Sequence, residues 1–246
     1  MKYPIDVHTH TVMSGHAYSS LLENVRYANE IGLKILGTTD HGPNLHGSPH
    51  VSYFDNYKVM PRKIYGVTVL YGCETNIIDY KGQIDIPEKT QKKMDIIIAS
   101  AHGPTMRCGT REENTQAYLN VMDNPNIDIL GHIGNPQFPI NPEEIVKKAK
   151  DNNILIEINN SSFLYSRAGG EQTCIEVIEL CKLYEVKIIM NSDAHICFAI
   201  GNFDESIKRI RNADMPEELI INNSPRDFID YLQNKGKVQD INPEEF

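Results

Sequence analysis

Seven times along its 246 residues the chain repeats one local pattern, a short apolar run followed by a longer amphipathic stretch. The runs are Ile5–His8, Lys34–Thr39, Thr68–Gly72, Asp95–Ala99, Ile127–Gly131, Leu155–Asn159 and Lys187–Asn191. Each has the length and β-branched content of a strand. Helical periodicity follows over Ser20–Ile31, Pro87–Lys93, Glu112–Met122, Pro142–Asn152 and Glu171–Tyr184. Asn141-Pro142-Glu143-Glu144 adds a start signal: a capping Asn, a Pro at the first helical position and acids in the first turn.

Regular β/α alternation implies a parallel sheet covered by helices. The length is one and a half to two average domains, but also that of one α/β barrel. Seven units without an obvious linker favour closure into a barrel over a doubly wound sheet, which would show the same alternation. A single domain over residues 1–246 is expected. Residues 77–86 break the rhythm and read as a rim hairpin turning at Lys81-Gly82. Phe203–Asn212 and Pro225–Lys235 read as closing helices, and Val238–Phe246 as a loose tail.

Composition narrows the function classes. With 40% apolar and 23% charged residues, and no run near the roughly 20 apolar residues of a membrane helix, no bilayer span is expected. The start, MKYPIDVHTHT, enters a strand-like run without a basic-plus-apolar leader, so the expected location is cytoplasmic. Cys73, Cys108, Cys174, Cys181 and Cys197 form an odd set without CxxC spacing, which reads as reduced thiols. A net charge of -9 and the lack of a Lys/Arg stripe argue against duplex nucleic acid as a partner. Bound divalent cations would still make a cationic pocket in an acidic protein.

The positions of the nine histidines carry the chemistry. His8 and His10 follow the first run as His-Thr-His, and residues i and i+2 of an extended chain point to one side. His41, Glu74, His102 and His132 end the second, third, fourth and fifth runs, and Asp193 and His195 follow the seventh as Asp-Ala-His. The C-terminal strand ends of a parallel barrel converge on one face, where barrel enzymes build their sites. His16, in the first βα loop, can reach the same mouth. His46 and His50 lie in a separate loop and read as ordinary loop histidines. One His-x-His is more often structural than not, but strand interiors here carry no His, and chance accounts poorly for the full set. Imidazoles with a few carboxylates suit Zn, Mn or Fe better than Ca or Mg. Nine candidate ligands imply two or three ions sharing a carboxylate, an arrangement suited to phosphoryl transfer.

Together, His8-Thr-His10, His16, Thr39-Asp40-His41, Glu74, Ser100-Ala-His102, Gly131-His132 and Ser192-Asp193-Ala-His195 resemble the PHP (polymerase and histidinol phosphatase) superfamily, most closely its YcdX-like branch. The resemblance extends to Asn159–Phe163 and to the Asn223-Ser224-Pro225-Arg226 turn, while Met106-Arg107-Cys108 is less typical of the branch. It implies a distorted TIM-like (β/α)7 barrel with a trinuclear site, usually of zinc. His8, His10, Glu74 and Asp193 would hold one ion, His16, His41 and His195 a second, and Glu74, His102 and His132 a third, with Glu74 bridging.

The expected activity is hydrolysis of a small phosphomonoester by a hydroxide that the ions hold and acidify. Glu74 and Asp193 are the catalytic-centre carboxylates, and Arg167, after the sixth run, is a candidate to grip a non-transferred phosphoryl oxygen. Its alternative is a solvated loop arginine. Asp40 is expected to face away from the ions and act by hydrogen bonding. Amidohydrolase chemistry would also use His-x-His and a late Asp, but His16, His195 and a Glu at the third strand end weigh against it. Phosphodiester cleavage lacks a basic path for a strand. A non-catalytic zinc store would saturate its ions with protein ligands.

Overall fold

A computed structural model describes residues 2–164 and 166–246. The parallel strands are β1 (Ile5–Asp6), β2 (Ile35–Thr38), β4 (Val67–Asn76), β5 (Ile96–Ser100), β6 (Ile129–Leu130), β7 (Leu155–Asn159) and β8 (Ile188–Asn191), hydrogen-bonded in the order β1-β2-β4-β5-β6-β7-β8. The short β3 (Lys63–Ile64) runs antiparallel to β4. The helices are α1 (Leu21–Glu30), α2 (Val51–Asp55), α3 (Glu88–Gln91), α4 (Arg111–Val121), α5 (Pro142–Asp151), α6 (Glu171–Tyr184), α7 (Asp204–Asn212) and α8 (Pro225–Asn234). All seven expected strands are present. The chain alternation did not signal β3 or α2.

Residue parity divides the barrel. Ile35, Leu70, Ile96, Ile98, Ile129, Leu155 and Ile189 pack together inside it. Leu36, Val69, Tyr71, Ile97, Leu130, Ile156 and Ile188 face the helices. Such burial of both strand faces makes these runs apolar throughout, without the alternation of a half-exposed sheet. Two residues further along the inward row the character changes: Glu74 follows Leu70 and Gly72 on β4, and Glu157 follows Leu155 on β7. The barrel is therefore apolar below and polar at its C-terminal mouth.

Closure between β1 and β8 is only partial, and this is the distortion. A single bridge, Thr9 with Ala194, joins the two sides above the strands. Below it, Asn222 fills the seam: its Nδ2 donates to Ile5 O (2.9 Å) and Met190 O (2.8 Å), and its Oδ1 accepts from Met190 N (2.8 Å). A side-chain amide thus satisfies backbone groups that would otherwise be buried without partners. Gly72 marks another close approach, since a Cβ there would lie 2.2 Å from Ile96 O. At that point β4 leaves β2 and begins pairing with β5.

The bottom of the barrel is plugged by α8, whose Phe228, Ile229 and Leu232 join the interior cluster. The segment 238–246 is not a loose tail. Val238 and Ile241 enter the same cluster, Gln233 Nε2 donates to their carbonyls, and Arg226 pairs with Glu244. Two apolar side chains spaced by three residues find a place under the barrel, and their burial outweighs the polar composition around them. Residues 77–86 form the expected excursion, reduced to one antiparallel bridge between Ile77 and Ile84 with Gly82 at φ 76° in the turn. Asn141 precedes α5 as expected, but its Nδ2 donates to Glu144 and its side chain accepts no cap bond. Among the described residues no helix is long and apolar enough to cross a membrane. All five cysteines are free thiols; Cys73 and Cys181 are buried, Cys174 and Cys197 partly so, and Cys108 is exposed.

Candidate metal centre

Glu74 stands at the middle of the mouth, fully buried near the end of β4. Its Oε2 lies 3.3 Å from His8 Nε2, 3.6 Å from His10 Nε2 and 2.6 Å from His41 Nδ1. Its Oε1 lies 2.8 Å from His132 Nε2 and 3.3 Å from His102 Nε2. Five imidazoles thus divide between the two oxygens of one carboxylate. Asp193 Oδ1 lies 3.3 Å from His10 Nε2 and 3.6 Å from His8 Nε2. His195 completes this side, with its Nε2 3.1 Å from His16 Nε2. All nine sequence-predicted ligands meet at one mouth, His16 at its exposed rim.

Hydrogen bonds set which ring nitrogen faces inward. His8 Nδ1 meets Glu157 Oε1 at 2.6 Å, His102 Nδ1 meets Asn76 Oδ1 at 2.7 Å, and His195 Nδ1 meets the Asp193 carbonyl at 3.0 Å. His10 Nδ1 donates to Ser14 Oγ, whose hydroxyl donates to Asp40. In each case the Nε2 lone pair is left for the centre, the usual arrangement of a metal-ligating imidazole. Asp40 also accepts from Thr11 N, Thr11 Oγ1 and Tyr53 Oη, so it anchors the first loop and does not face the cluster.

The donor set fits divalent cations. His8 Nε2, His10 Nε2, His41 Nδ1 and Glu74 Oε2 are buried without hydrogen-bond partners, although they crowd together. Buried polar atoms in proteins are satisfied, and one cation satisfies several lone pairs at once. Three triads have donor atoms within 4.8 Å of one another: His8–His10–Asp193, His10–His41–His195 and His41–Glu74–His102. The second and third differ from the groupings implied by the family resemblance. His10 stands with His41 and His195 where His16 was expected, and His41 joins Glu74 and His102 in place of His132.

Electrostatics agree. Burial alone would raise the Glu74 carboxyl, but His8, His102 and His41 overcome it and hold the group well below the usual carboxylate range. Asp193 is likewise held down against burial by His8, His10 and Arg167. Burial, then the neighbouring His41, pushes His10 well below the ordinary imidazole value, and burial with Arg167 brings His132 to about 4. Both rings are therefore neutral donors at pH 7. For His8, burial is outweighed by Glu157, Glu74 and Asp193, which draw a proton onto it. A divalent cation among those acids would displace that proton.

Two residues of the cluster sit on unusual backbone, His132 at φ 32° and Asp193 at φ 57°. Such conformations cost free energy and persist where the surroundings fix them. Glu157 supplies part of that fixation. Besides holding His8, it accepts from His132 N (2.8 Å), Asn159 Nδ2 (3.1 Å) and Asn191 Nδ2 (2.9 Å). Asn159 Nδ2 also reaches Asp193 Oδ2 at 3.2 Å. Sequence reasoning passed over Glu157, although a carboxylate inside the apolar run Leu155-Ile156-Glu157-Ile158 is itself a signal. Asn76, two residues beyond Glu74 on the same face, was equally legible.

Arg167 is not a solvated loop residue. Only 12% of its side chain is exposed, and both terminal nitrogens lie 3.2 Å from Asp193 Oδ2, with further bonds to Ser162 and Ser166. It borders a cavity of about 640 Å³ that opens over His16, His41, His102 and His195. His46 also lines this cavity, whereas His50 accepts from Ser52 N at the start of α2.

The model of the PHP domain family matches residues 6–161. A Clostridium novyi (strain NT) protein named as a probable phosphatase is 61% identical over 241 residues, covering 98% of this chain and 99% of its own length. One from Caldanaerobacter subterraneus subsp. tengcongensis, also named as a probable phosphatase, is 47% identical over 238 residues, covering 96% and 94%. The crystal structure of the Lactococcus lactis histidinol phosphate phosphatase, complexed with Zn, L-histidinol and phosphate, superposes with a TM-score of 0.60 at 17% identity, over 87% of this chain and 95% of that one, a likeness of fold. With its barrel, its cluster of imidazoles around a shared carboxylate and these relatives, the chain belongs to the PHP domain family.

Proposed function

We propose that the protein is a metal-dependent phosphatase that hydrolyses a small phosphomonoester. The observation that carries this reading is the Glu74 carboxylate, shared between His8, His10 and His41 on one oxygen and His102 and His132 on the other. One centre would use His8, His10, Glu74 and Asp193, a second His16, His41 and His195 with His10 also within reach, and a third Glu74, His102 and His132 with His41 also within reach, with zinc the favoured ion and Mn or Fe as alternatives. The relatives' names and the zinc and phosphate held by the structural neighbour support the same chemistry.

Divalent ions held there supply Lewis-acid stabilisation of phosphoryl charge and acidify water to a nucleophile at neutral pH. The chain's own residues do the rest. Glu74 and Asp193 stay ionised and set the negative field that fixes the cations. Arg167, positioned by Ser162, Ser166 and Asp193 at the cavity wall, is aimed to donate to a non-transferred phosphoryl oxygen. The buried floor limits water to the mouth, which strengthens each charge interaction.

Elemental analysis and phosphate release, measured on one preparation made without chelators, test this. Close to three ions per chain and metal-dependent phosphate release are expected. A metal-replete sample that releases no phosphate from any monoester would refute it.

A further inference from the structure

We propose that the leaving group of the substrate is an uncharged polyhydroxy alcohol, so that the site takes a sugar or polyol phosphate. This rests on the phosphatase reading above and specifies the part of the substrate that the reaction does not change.

The cavity lining is of two chemical kinds. One is formed by the imidazole cluster with Arg167, and suits the phosphoryl group. The same cavity is also lined by Asn135, Gln137, Ser161 and Ser166, the last of which meets Arg167 at 3.2 Å. Amides and hydroxyls each donate and accept, which is the complement of an alcohol hydroxyl.

This wall is held in place before any ligand arrives. Asn135 N donates to His132 O, Asn135 Oδ1 accepts from Gln137 N, and Phe138, 1% exposed, anchors the turn in the core. The Gln137 side chain lies across Gly103, where a Cβ would come within 2.3 Å of its Nε2. Glycine next to His102 therefore lets a neutral amide reach over the mouth. On the other side, Ser166 Oγ donates to Ser161 O at 2.8 Å, fixing the second pair.

Charge supports the same class. Among the described lining residues, Arg167 and Asp193 are the guanidinium and the carboxylate, and they are paired to each other at 3.2 Å. A carboxylate or ammonium on the leaving group would lose water against Asn135, Gln137, Ser161 and Ser166, none of which carries a charge to replace it. An aromatic leaving group would strip water from the same amides and offer no hydrogen bond in return.

The zinc-reconstituted protein tests this with two readouts. In kcat/KM, glycerol 3-phosphate and a hexose 6-phosphate should exceed phenyl phosphate, phosphoethanolamine and 3-phosphoglycerate by at least about tenfold, roughly one hydrogen bond's worth. In calorimetry, 3,4-dihydroxybutylphosphonate should bind more tightly than benzylphosphonate by a similar factor. Gln137→Ala and Asn135→Ala, with folding checked by retained metal content, should each bring both ratios toward one. Phenyl phosphate or a charged ester turned over as fast as the polyol esters, or unchanged ratios in both variants, would overturn the assignment. If no ester released phosphate while the phosphonate preference held, the hydrolytic reading would fall and the ligand class would stand.

Discussion

His8 Nδ1 lies 2.6 Å from Glu157 Oε1, and the other oxygen of that carboxylate accepts the backbone N–H of His132 at 2.8 Å. One buried side chain therefore orients an imidazole from the start of the barrel and steadies the left-handed backbone of another from its middle. A Glu157→Gln change would turn an amide NH2 toward donors that now meet an oxygen. Zinc affinity should fall by at least the roughly 10- to 100-fold typical of removing such a support, and Glu157→Asp should recover part of it. Competition against a chelating dye measures this; unchanged affinity in Glu157→Gln would remove Glu157 from the centre.

Glu74→Gln retains shape but withdraws a charge that faces five imidazoles. With cation–cation repulsion less compensated, at least one ion should be missing and phosphate release should be near background. Elemental analysis with a full complement of metal in this variant would contradict the bridging role.

His132→Ala removes a ring whose Nε2 contacts only one oxygen of Glu74. The ring stands at the polar mouth beside Glu74 rather than in the apolar layer below, so the fold should survive while one ion and most turnover are lost. Circular dichroism and metal content on the same sample check both halves, and wild-type activity would exclude His132 from the site.

Chelation should destabilise the protein by linkage. Each site filled at a hundred times its dissociation constant adds about 2.7 kcal/mol, and at this chain length each kcal/mol moves the melting temperature by about 2–4 °C. Removing one such ion should therefore lower Tm by about 5–10 °C. A Tm indifferent to chelator and to added zinc would argue against metal bound by the folded state.

Burial raises the Asp6 carboxyl from 3.8 to about 6, despite hydrogen bonds from Ser192 and Gly201. The folded chain thus holds this proton between those values when the unfolded chain has lost it. The resulting stability is fully present below the unfolded pKa and disappears as pH rises through the folded one. The stability of wild type relative to Asp6→Asn should fall by roughly 3 kcal/mol between about pH 3 and pH 7. Urea denaturation at several pH values measures it; a difference independent of pH would show that Asp6 does not titrate in this window.

Much of the fold, and which side chains gather at its mouth, was legible, because both rest on periodicity. A strand covered on two faces must be apolar along its length, and its C-terminal end must face the common mouth, so His41, His102 and His132 could be placed by counting. Residues 238–246 were misread, since Val238 and Ile241 have value only beneath a barrel that local pattern does not display. Glu157 was missed for the opposite reason: one polar residue in an apolar run looks like an interruption until parity places it beside His8. The partition of ligands into triads depends on side-chain direction, and spacing along the chain does not encode that.

The seam at Asn222 has a consequence for the order of assembly during synthesis. His8 and His10 are made more than 180 positions before Asp193 and His195, and the amide that ties Ile5 to Met190 is made later still. A nascent chain lacking residue 222 carries both groups of side chains but misses the amide that bonds Ile5 and Met190 across the seam. The seam is thereby completed only after both groups have been made, and the mouth they form is tied together from beneath by a residue that follows them in the chain.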